Sequence, residues 1–296
     1  MKINKITEEV NSKTKNIDQN PIDEILISIN NEDQLIANQV KKVIPEISSF
    51  IEKIIEKLKE SGRLIYIGSG TSGRLGVLDA SECPPTFGVS KDLVVGLIAG
   101  GDRALKESIE GAEDSLQDSV NLLKEINFNK NDVILGISAS GTTPYVITAL
   151  EYAKKIGSST GFLTCNNISS LECVDYLIRV IVGPEILSGS TRLKAGTATK
   201  MVLNMISTAS MMKMNRTFGN MMVNLLPNNN KLIQRAINII SKELNVDNDQ
   251  AKKLYELSEN NLKAAILMGK KNITLNQANK IIIKNKGSLL DSLNEQ

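Results

Sequence analysis

The chain of 296 residues has no histidine, and this absence excludes several kinds of catalytic site. A Ser-His-Asp triad cannot form, and neither can a histidine-ligated zinc site. Any general acid or base must therefore be Glu, Asp, Lys, Tyr or Cys. Cysteine is scarce as well. Cys83, Cys165 and Cys173 are odd in number and contain no CxxC pair, so we expect free thiols and no thiolate-bound metal.

Long apolar runs and an excess of one charge are also missing. The segment from Met1 to Asn20 is polar and lacks the apolar core of a secretory signal, and no apolar run approaches the ~18 residues of a membrane span. Lys and Arg number 35 against 33 Asp and Glu, a net charge of +2. This balance removes the usual electrostatic argument for binding nucleic acid or an anionic membrane. We expect a cytoplasmic protein that binds neither.

Short apolar runs rich in β-branched residues alternate with helical patterns through the middle of the chain. The predicted strands are Leu64–Ile67, Leu93–Ile98, Val133–Ser138, Thr160–Thr164 and Tyr176–Val182. The predicted helices between them are Gly73–Ser81, Ala104–Ile126 and Pro144–Ile156. Strands that alternate with helices predict an α/β fold with a mostly parallel sheet covered on both faces.

The flanks of this region read as helices and a polar arm. Residues 1–30 are polar with little periodicity, which predicts an N-terminal arm. Apolar residues recur at helical spacing from Glu32 to Glu60, so we predict one long amphipathic helix with a jog at Pro45 and an end at Ser61-Gly62. A second long helix is predicted from Ser190 to Met214.

The composition changes after Pro227, where Asn228-Asn229-Asn230 forms a short polar link. The chain beyond it is helical in pattern and has no strand candidates. Val246-Asp247 and Thr274-Leu275 each place a capping residue at the start of a helix. The predicted division is therefore an arm over 1–30, an α/β domain over 31–227 and a small helical subdomain over 228–296.

Two loops rich in glycine and hydroxyls each follow a predicted strand, Ile67–Arg74 and Ile137–Pro144. Ligands of parallel sheets bind beyond the carboxyl ends of the strands. Glycine lets backbone N–H groups approach a phosphate, and the hydroxyls supply further donors, so we predict a phosphorylated sugar as ligand. The same residues also suit ordinary turns and caps. The candidate substrate-binding residues are Ser69, Gly70, Thr71, Ser72, Arg74, Ser138, Ser140, Gly141, Thr142 and Thr143.

The stretch from Gly68 to Gly73 also fits the G-x-G-x-x-G fingerprint of dinucleotide-binding proteins. That fingerprint requires an acidic residue about 20 positions further on, at the end of the next strand. Glu82 comes before the next strand, and Asp102 comes later than the pattern requires. The loop is also crowded with hydroxyls that a dinucleotide does not need, so we do not expect NAD.

Two glutamates are candidates for acid–base chemistry. Glu82 precedes Pro84-Pro85, which we expect to end the preceding helix, and Glu113 lies in Glu110–Asp114. The residues alone favour an ordinary surface carboxylate just before the break for Glu82. They favour it more strongly for Glu113, because acidic residues are common in the first turn of a helix.

A third hydroxyl-rich stretch, Ser188–Thr197, also carries cations and lies at the start of a predicted helix. It can contact an anionic substrate or cap the helix, and the sequence does not separate these interpretations. Lys194 is its candidate substrate-binding residue.

These motifs together resemble the N-acetylmuramic acid 6-phosphate etherases, and the resemblance covers nearly the whole chain in order. The Ser-Glu-Cys-Pro-Pro run at Ser81–Pro85 is specific to this family within the sugar isomerase (SIS) fold group. Weaker matches occur at Thr7-Glu8, Asn11, Ile17-Asp18 and Phe218–Val223. The chain departs from the family pattern with Asn224 in place of Asp and Leu193 in place of Met. The runs that match are Leu64–Gly76, Asp79–Thr86, Gly96–Gly101, Glu110–Asp114, Ser138–Val146 and Gly189–Thr197.

The resemblance implies a three-layer α/β/α SIS domain with a five-stranded parallel sheet, a helical C-terminal extension and a homodimer. It implies cleavage of the lactyl ether of N-acetylmuramic acid 6-phosphate, without a metal or redox cofactor. Glu82 would act at the lactyl oxygen and Glu113 at the C2 proton. The phosphate would bind Ser72, Ser138, Ser140 and Thr143.

Two other functions share this fold and these loops. An aldose–ketose isomerase of sugar phosphates commonly uses histidine to open the ring, and this chain has none. A non-catalytic regulator that senses a sugar phosphate is the other, and a mammalian kinase regulator resembles this family. Such a regulator need not keep both glutamates, whereas this chain has both Glu82 and Glu113.

Overall fold

The computed structural model describes residues 5–224 and 230–295, which form two compact units. The first unit lies within residues 1–81 and 91–207, and the second lies within residues 82–90 and 208–296. The predicted boundary after Pro227, with most of the Asn-rich link, falls in residues 225–229, outside the described residues. The division into an arm, an α/β domain and a helical subdomain therefore stays a prediction.

A five-stranded parallel sheet forms the centre of the first unit, in the order β2-β1-β3-β4-β5. This confirms the predicted α/β fold. Every residue of β1 and β3 is buried, as expected for strands that carry helices on both faces. The strands are β1 (Leu64–Gly68), β2 (Val94–Ile98), β3 (Val133–Ile137), β4 (Ser159–Thr164) and β5 (Tyr176–Arg179).

Seven helices surround or extend this sheet. Two of these helices pack Leu123, Val146 and Leu150 against Ile65, Ile134 and Phe162 of the strands in one core. Each such side chain contributes about 1.5–3 kcal/mol when fully buried. The helices are α1 (Ile22–Asp33), α2 (Ile36–Lys42), α3 (Ile44–Lys59), α4 (Gly70–Phe87), α5 (Leu116–Glu125), α6 (Pro144–Lys155) and α7 (Lys194–Lys213).

Two helix predictions were wrong in detail. The long helix from Glu32 to Glu60 is broken before α2 and again at Val43, and Pro45 lies in the first turn of α3, where its missing N–H costs nothing. The helix predicted from Ala104 is confined to α5, because Gly111 has a left-handed φ of 72°.

The double proline does not end the preceding helix, because Pro84 and Pro85 lie inside α4, which continues to Phe87. The chain stays helical for only two residues beyond them. The N–H of Gly88 then bonds to the carbonyl of Pro84 at 2.9 Å and closes the last turn. The prolines therefore remove hydrogen bonds only close to the end of the helix.

The second unit is mainly helical, as predicted, and also holds a small hairpin of β6 (Thr217–Phe218) and β7 (Met221–Met222). Asp247 caps α9 through the N–H of Gln250, and Thr274 forms a capping box with Gln277 at α11, which confirms both predicted starts. The helices are α8 (Asn230–Leu244), α9 (Asn248–Leu257), α10 (Leu262–Lys271), α11 (Leu275–Lys284) and α12 (Leu289–Asn294).

Within the described residues, no helix combines the length and apolar content that crossing a bilayer requires.

Candidate functional site

The two predicted loops lie next to each other at one edge of the sheet. β1 and β3 are hydrogen-bonded neighbours, with Gly68 opposite Ile137 at their carboxyl ends. The chain goes from β1 to β2 on one side and then returns to β3 on the other side of β1. A crevice is expected where the strand order reverses in this way. Both loops therefore lie where parallel sheets commonly bind ligands.

The first loop leads directly into α4, whose first residue is Gly70. Gly70 has a φ of 52°, and a Cβ there would meet no atom within 4 Å, so the backbone conformation favours glycine. Gly68 is required for space instead, because its Cβ would lie 2.7 Å from the nitrogen of Gly73. The close approach of strand and helix brings the N-terminus of α4, with its partial positive charge, to the crevice.

The second loop is held by hydrogen bonds among its own hydroxyls. The Oγ of Ser138 lies 2.7 Å from Oγ1 of Thr143 and 3.2 Å from Oγ of Ser140, and it accepts the N–H of Gly141 at 3.1 Å. The N–H and the hydroxyl of Thr142 both donate to Ser140 Oγ at 3.3 Å. The hydroxyls are thus gathered in place before any ligand arrives.

Residues of both loops line one cavity of about 480 Å³ in the first unit. From the predicted set, the lining includes Ser69, Gly70, Thr71 and Ser72 of the first loop. It also includes Ser138, Ser140, Thr142 and Thr143 of the second loop. The volume is in the range of small-molecule sites, and hydroxyl donors dominate these walls.

Other parts of the chain complete the walls. The third stretch contributes Gly189 and Thr191, and the N-terminal segment contributes Lys5 and Glu8. Sequence analysis gave Lys5 and Glu8 no role, because isolated polar residues in a segment without periodicity carry no signal of their own. The weak family match at Thr7-Glu8 was the only pointer to the N-terminal segment.

The N-terminal segment is tied to the second loop through Asn166, whose side chain is fully buried. Asn166 Oδ1 accepts the N–H of Thr7 at 3.2 Å, and its Nδ2 donates to Thr7 Oγ1 at 2.9 Å. The same Nδ2 lies 3.2 Å from the carbonyl of Ala139 and 3.1 Å from that of Ser140. The carbonyl of Thr7 also accepts the N–H of Gly189 at 3.0 Å. Three separate stretches of chain therefore meet at Thr7.

Of the two candidate glutamates, Glu113 lines the cavity, on a short 3-10 turn that it shares with Asp114. Both side chains are exposed. Glu82 lies on α4 within the second unit and is also exposed. The roles of both glutamates stay predictions.

Three of the predicted binding residues make structural contacts instead of lining the cavity. Arg74 donates to the carbonyls of Leu105 at 3.3 Å and Glu107 at 2.8 Å. Gly141 is buried under its loop with a φ of 76°, and a Cβ there would lie 2.8 Å from Ile168. Lys194 is buried too, so a role for these three in contacting substrate has no support from their positions.

Lys194 belongs to a buried cluster of charges at the start of α7. Its Nζ lies 2.6 Å from Oε2 of Glu32, which also accepts the amide of Asn11 at 3.0 Å. The carboxylate of Glu185 accepts the backbone N–H groups of Lys194 and Ala195, each at 2.9 Å, and so caps α7. The third stretch therefore begins a helix that Glu185 caps, and it also lines the cavity through Gly189 and Thr191.

Burial sets the pKa values around this cluster. Burial raises the pKa of Glu185, although the two N–H groups at α7 favour its charged form. Burial raises the pKa of Cys165 to about 12, with the nearby Glu185 carboxyl adding to the effect. Burial would also raise the pKa of Glu32, but hydrogen bonds from Lys194 and Lys13 outweigh it and leave that pKa lowered. All three cysteines are buried, so none offers an accessible thiolate.

Comparison with known proteins identifies the family. The family model of the glucokinase regulatory protein N-terminal SIS domain matches residues 46–154. An N-acetylmuramic acid 6-phosphate etherase of Clostridium botulinum (strain Hall) is 48% identical over 291 residues, which cover 98% of this chain and 96% of that protein. N-acetylmuramic acid 6-phosphate etherase 1 of Bacillus licheniformis is 46% identical over 288 residues, covering 97% of this chain and 95% of that protein.

Among solved structures, a phosphoheptose isomerase from Neisseria gonorrhoeae aligns with 64% of this chain and 98% of its own, at 14% identity and a TM-score of 0.46. A likeness of this size carries no argument about chemistry. The etherases are similar over almost the full length, through both loops, the 3-10 turn of Glu113 and the helical C-terminal region. The chain belongs to the N-acetylmuramic acid 6-phosphate etherase family.

Proposed function

We propose that this protein cleaves the D-lactyl ether of N-acetylmuramic acid 6-phosphate with water. The products are N-acetylglucosamine 6-phosphate and D-lactate, a step in the recycling of cell-wall amino sugars. The observation that carries this proposal is the similarity to etherases over 98% of the chain. The cavity supports it, because it joins hydroxyl-rich loops to a glutamate.

The phosphate binds between the two loops. Ser72, Ser138, Ser140 and Thr143 donate hydrogen bonds to its oxygens, and the N-termini of α4 and α6 favour its negative charge. The hydroxyls of the second loop now bond to one another, so each can turn its proton to a phosphate oxygen with little movement. Binding the phosphate holds the reacting carbons in place at a distance from the anchor.

The chemistry requires an open sugar ring. An alkoxide at C3 is a poor leaving group, but the C1 aldehyde of the open form makes the C2 proton acidic. A base removes that proton, an acid protonates the departing lactate oxygen, and an unsaturated aldehyde remains. Water then adds at C3, and a proton returns to C2. Two proton-transfer groups are needed, and each contributes roughly 10²–10⁴-fold.

We assign the C2 proton to Glu113 and the lactyl oxygen to Glu82. The position of Glu113 in the cavity lining supports its part of this assignment. Glu82 would act first as an acid and then as the base that activates water. Its part rests on the match of Ser81–Pro85 to the family.

We further propose that the protein works as a homodimer in the cytoplasm. α1 carries exposed Ile22, Leu26 and Ile27, which are 77%, 59% and 58% exposed. Neighbouring apolar side chains on one helix mark surfaces that associate. The molecular mass of the purified protein in solution tests the dimer, and a monomeric mass at working concentration contradicts it.

Release of D-lactate tests the function directly. The purified full chain is incubated with N-acetylmuramic acid 6-phosphate, and D-lactate and the amino-sugar phosphate are measured over time. Equal amounts of the two products support the etherase. Conversion of an aldose phosphate to a ketose without lactate would favour the isomerase, and binding without turnover would favour the regulator. Solvent deuterium should appear at C2 of the product, and its absence would count against the elimination route.

Glu82→Gln tests the acid. We expect it to abolish lactate release while the affinity for the sugar phosphate stays within a few fold, because the amide keeps the shape but cannot transfer a proton. Turnover like that of the wild type would remove Glu82 from the mechanism.

A further inference from the structure

The proposed elimination leaves one pair of proton transfers without a residue. Opening the pyranose ring requires loss of the C1 hydroxyl proton and gain of a proton at O5. Glu113 and Glu82 are assigned to C2 and to the lactyl oxygen, and the chain has no histidine to open the ring. Two carboxylates that line the cavity have no assigned role, Glu8 and Asp114.

Glu8 is held in the cavity wall by the chain around it. The preceding residue, Thr7, is fully buried and bonds through its backbone to Asn166 and Gly189. The carboxylate of Glu8 lies over Gly189, where a Cβ would approach its Oε2 to 3.1 Å. A side chain at position 189 would therefore push Glu8 aside, and glycine leaves room for it.

The carboxylate of Glu8 is available for a ligand. It is exposed and forms no ion pair anywhere in residues 5–224 and 230–295. The ion pairs of the described residues join lysines and arginines to other acids. A carboxylate in this condition can accept a hydrogen bond or a proton from a substrate without first breaking a bond to the protein.

The link to the second loop favours Glu8 over Asp114 for ring opening. Asn166 bonds at once to Thr7 and to the carbonyls of Ala139 and Ser140, so Glu8 follows a residue fixed to the loop proposed to hold the phosphate. The two ends of the bond that opens, O5 and C1, are two and three bonds from C6, which carries the phosphate, whereas C2 is four bonds away. Asp114 instead shares its short turn with Glu113 and so accompanies the group assigned to C2.

We infer that Glu8 is a further catalytic residue, which opens the sugar ring. The Glu8 carboxylate takes the proton of the C1 hydroxyl, and the O1–H electron pair forms the C1 carbonyl. The C1–O5 bond breaks, its electrons pass to O5, and O5 takes a proton from water. Glu8 then returns its proton to water, so the open aldehyde has the composition of the ring form. The inference rests on the proposed function, because that elimination needs the aldehyde.

Anomer exchange measures ring opening separately from ether cleavage. N-acetylglucosamine 6-phosphate has no lactyl group, yet its two anomers interconvert only through the open form. Exchange spectroscopy of the anomeric NMR signals gives the rate with and without the full-length protein. We expect the wild type to accelerate exchange and Glu8→Gln to lower the protein-dependent rate by roughly 10²-fold. Glu113→Gln should still exchange anomers although it cannot eliminate.

Two controls separate Glu8 from its surroundings. Glu9→Gln changes the exposed neighbour on the same segment, and Asp114→Asn changes the other unassigned acid of the cavity. Both should exchange anomers like the wild type. Glu8→Asp keeps a carboxyl and should fall between the wild type and Glu8→Gln, which decides the matter if the glutamine variant melts early.

The lactate assay adds a second signature. With Glu8→Gln, lactate release should stop rising as more enzyme is added, because spontaneous ring opening becomes limiting. A merely structural role would not produce such a plateau. Three results would each overturn the inference. Glu8→Gln or Glu8→Asp could exchange anomers at the wild-type rate, or the wild type could fail to accelerate exchange. The third is a loss of exchange in Asp114→Asn alone. If lactate is released but the rate of anomer exchange does not depend on Glu8, only the assignment of ring opening to Glu8 is rejected. If the protein accelerates anomer exchange but releases no lactate, the proposed function is rejected.

Discussion

Two pairs of carboxylates in the first unit have opposite surroundings. Glu32 and Glu185 are buried, 6% and 0% exposed, and the protein itself satisfies them with Lys194, Asn11 and the N-terminus of α7. Glu8 and Glu113 are exposed in the cavity wall and have no ion pair with any described residue. Carboxylates of the first pair stabilise the fold, and those of the second remain open to a ligand.

The same division explains how the cations are used. Sequence analysis assigned Arg74 and Lys194 to an anionic substrate, yet each bonds to the protein: Arg74 to two carbonyls and Lys194 to Glu32. The loops around the cavity offer neutral hydroxyls instead. Under the proposed function, hydroxyl donors and helix termini would bind a phosphate there, so the site would hold an anion beside glutamates without buried lysine or arginine.

The largest expected effect comes from changing an exposed carboxylate of the cavity wall, Glu113. Glu113→Gln should lower kcat for lactate release by roughly 10²–10⁴-fold, because the amide cannot remove the C2 proton. The melting temperature should stay near that of the wild type, since Glu113 is exposed. Lactate assays and thermal melts measure the two effects. Glu110→Gln, an exposed neighbour outside the cavity lining, is the matched control and should keep full activity. A Glu113→Gln variant that melts at a lower temperature but turns over normally would contradict the comparison, because Glu113 would then stabilise the fold instead of acting in catalysis.

A change at the buried pair of Lys194 and Glu32 should lower stability and leave activity nearly unchanged. Lys194→Met leaves Glu32 without its closest partner, so we expect the free energy of unfolding to fall by about 3 kcal/mol. Denaturant titration measures this loss, and kcat/KM per folded molecule should change little. Lys200→Met, at an exposed position of the same helix, should cost almost nothing. A stable Lys194→Met with a KM raised more than tenfold would instead return Lys194 to the substrate site.

The hydroxyls should give a smaller effect on binding. Ser140→Ala removes a half-buried hydroxyl that accepts two bonds from Thr142, and we expect KM to rise roughly tenfold with kcat little changed, the value of about one hydrogen bond to a charged group. Steady-state kinetics separate the two constants. Ser48→Ala, on the exposed face of α3, should leave both unchanged. An unchanged KM in Ser140→Ala would move the phosphate elsewhere.

The parts of this site that could be predicted are those that depend on residues close together in the sequence. Buried strands are continuous apolar runs, and the loops after β1 and β3 can be recognised by their glycine and hydroxyl residues. The tie from Thr7 to Asn166 joins residues 159 positions apart, and no spacing rule reaches across that distance. This tie is one of the contacts that hold Glu8 in the cavity wall.

The contacts of Arg74 and Lys194 with the protein could not be predicted for a related reason. Lys194 lies among hydroxyls in the sequence, but the partner that decides its role is Glu32, on α1. A loop residue and its buried counter-charge are unrelated in sequence, so composition near Lys194 pointed to a ligand. The broken helix from Glu32 to Glu60 shows the same limit, because apolar spacing persists across the breaks and hides them.

The smallest expected effect is a pH dependence of the Lys194–Glu32 pair. The folded pKa of Glu32 lies below its ordinary value of 4.5, because the hydrogen bonds from Lys194 and Lys13 outweigh burial. A carboxyl with a lowered folded pKa adds stability that is fully present above 4.5 and is lost as the pH falls through the lower folded value. The stability difference between the wild type and Lys194→Met should therefore shrink as the pH falls from about 7 to about 3.5. Denaturant titrations across that range measure it, with Lys200→Met expected to show no trend. A difference that stays constant or grows in acid would mean that Lys194 stabilises the fold by packing its methylenes, and the separation between bonded and free carboxylates would lose its electrostatic basis.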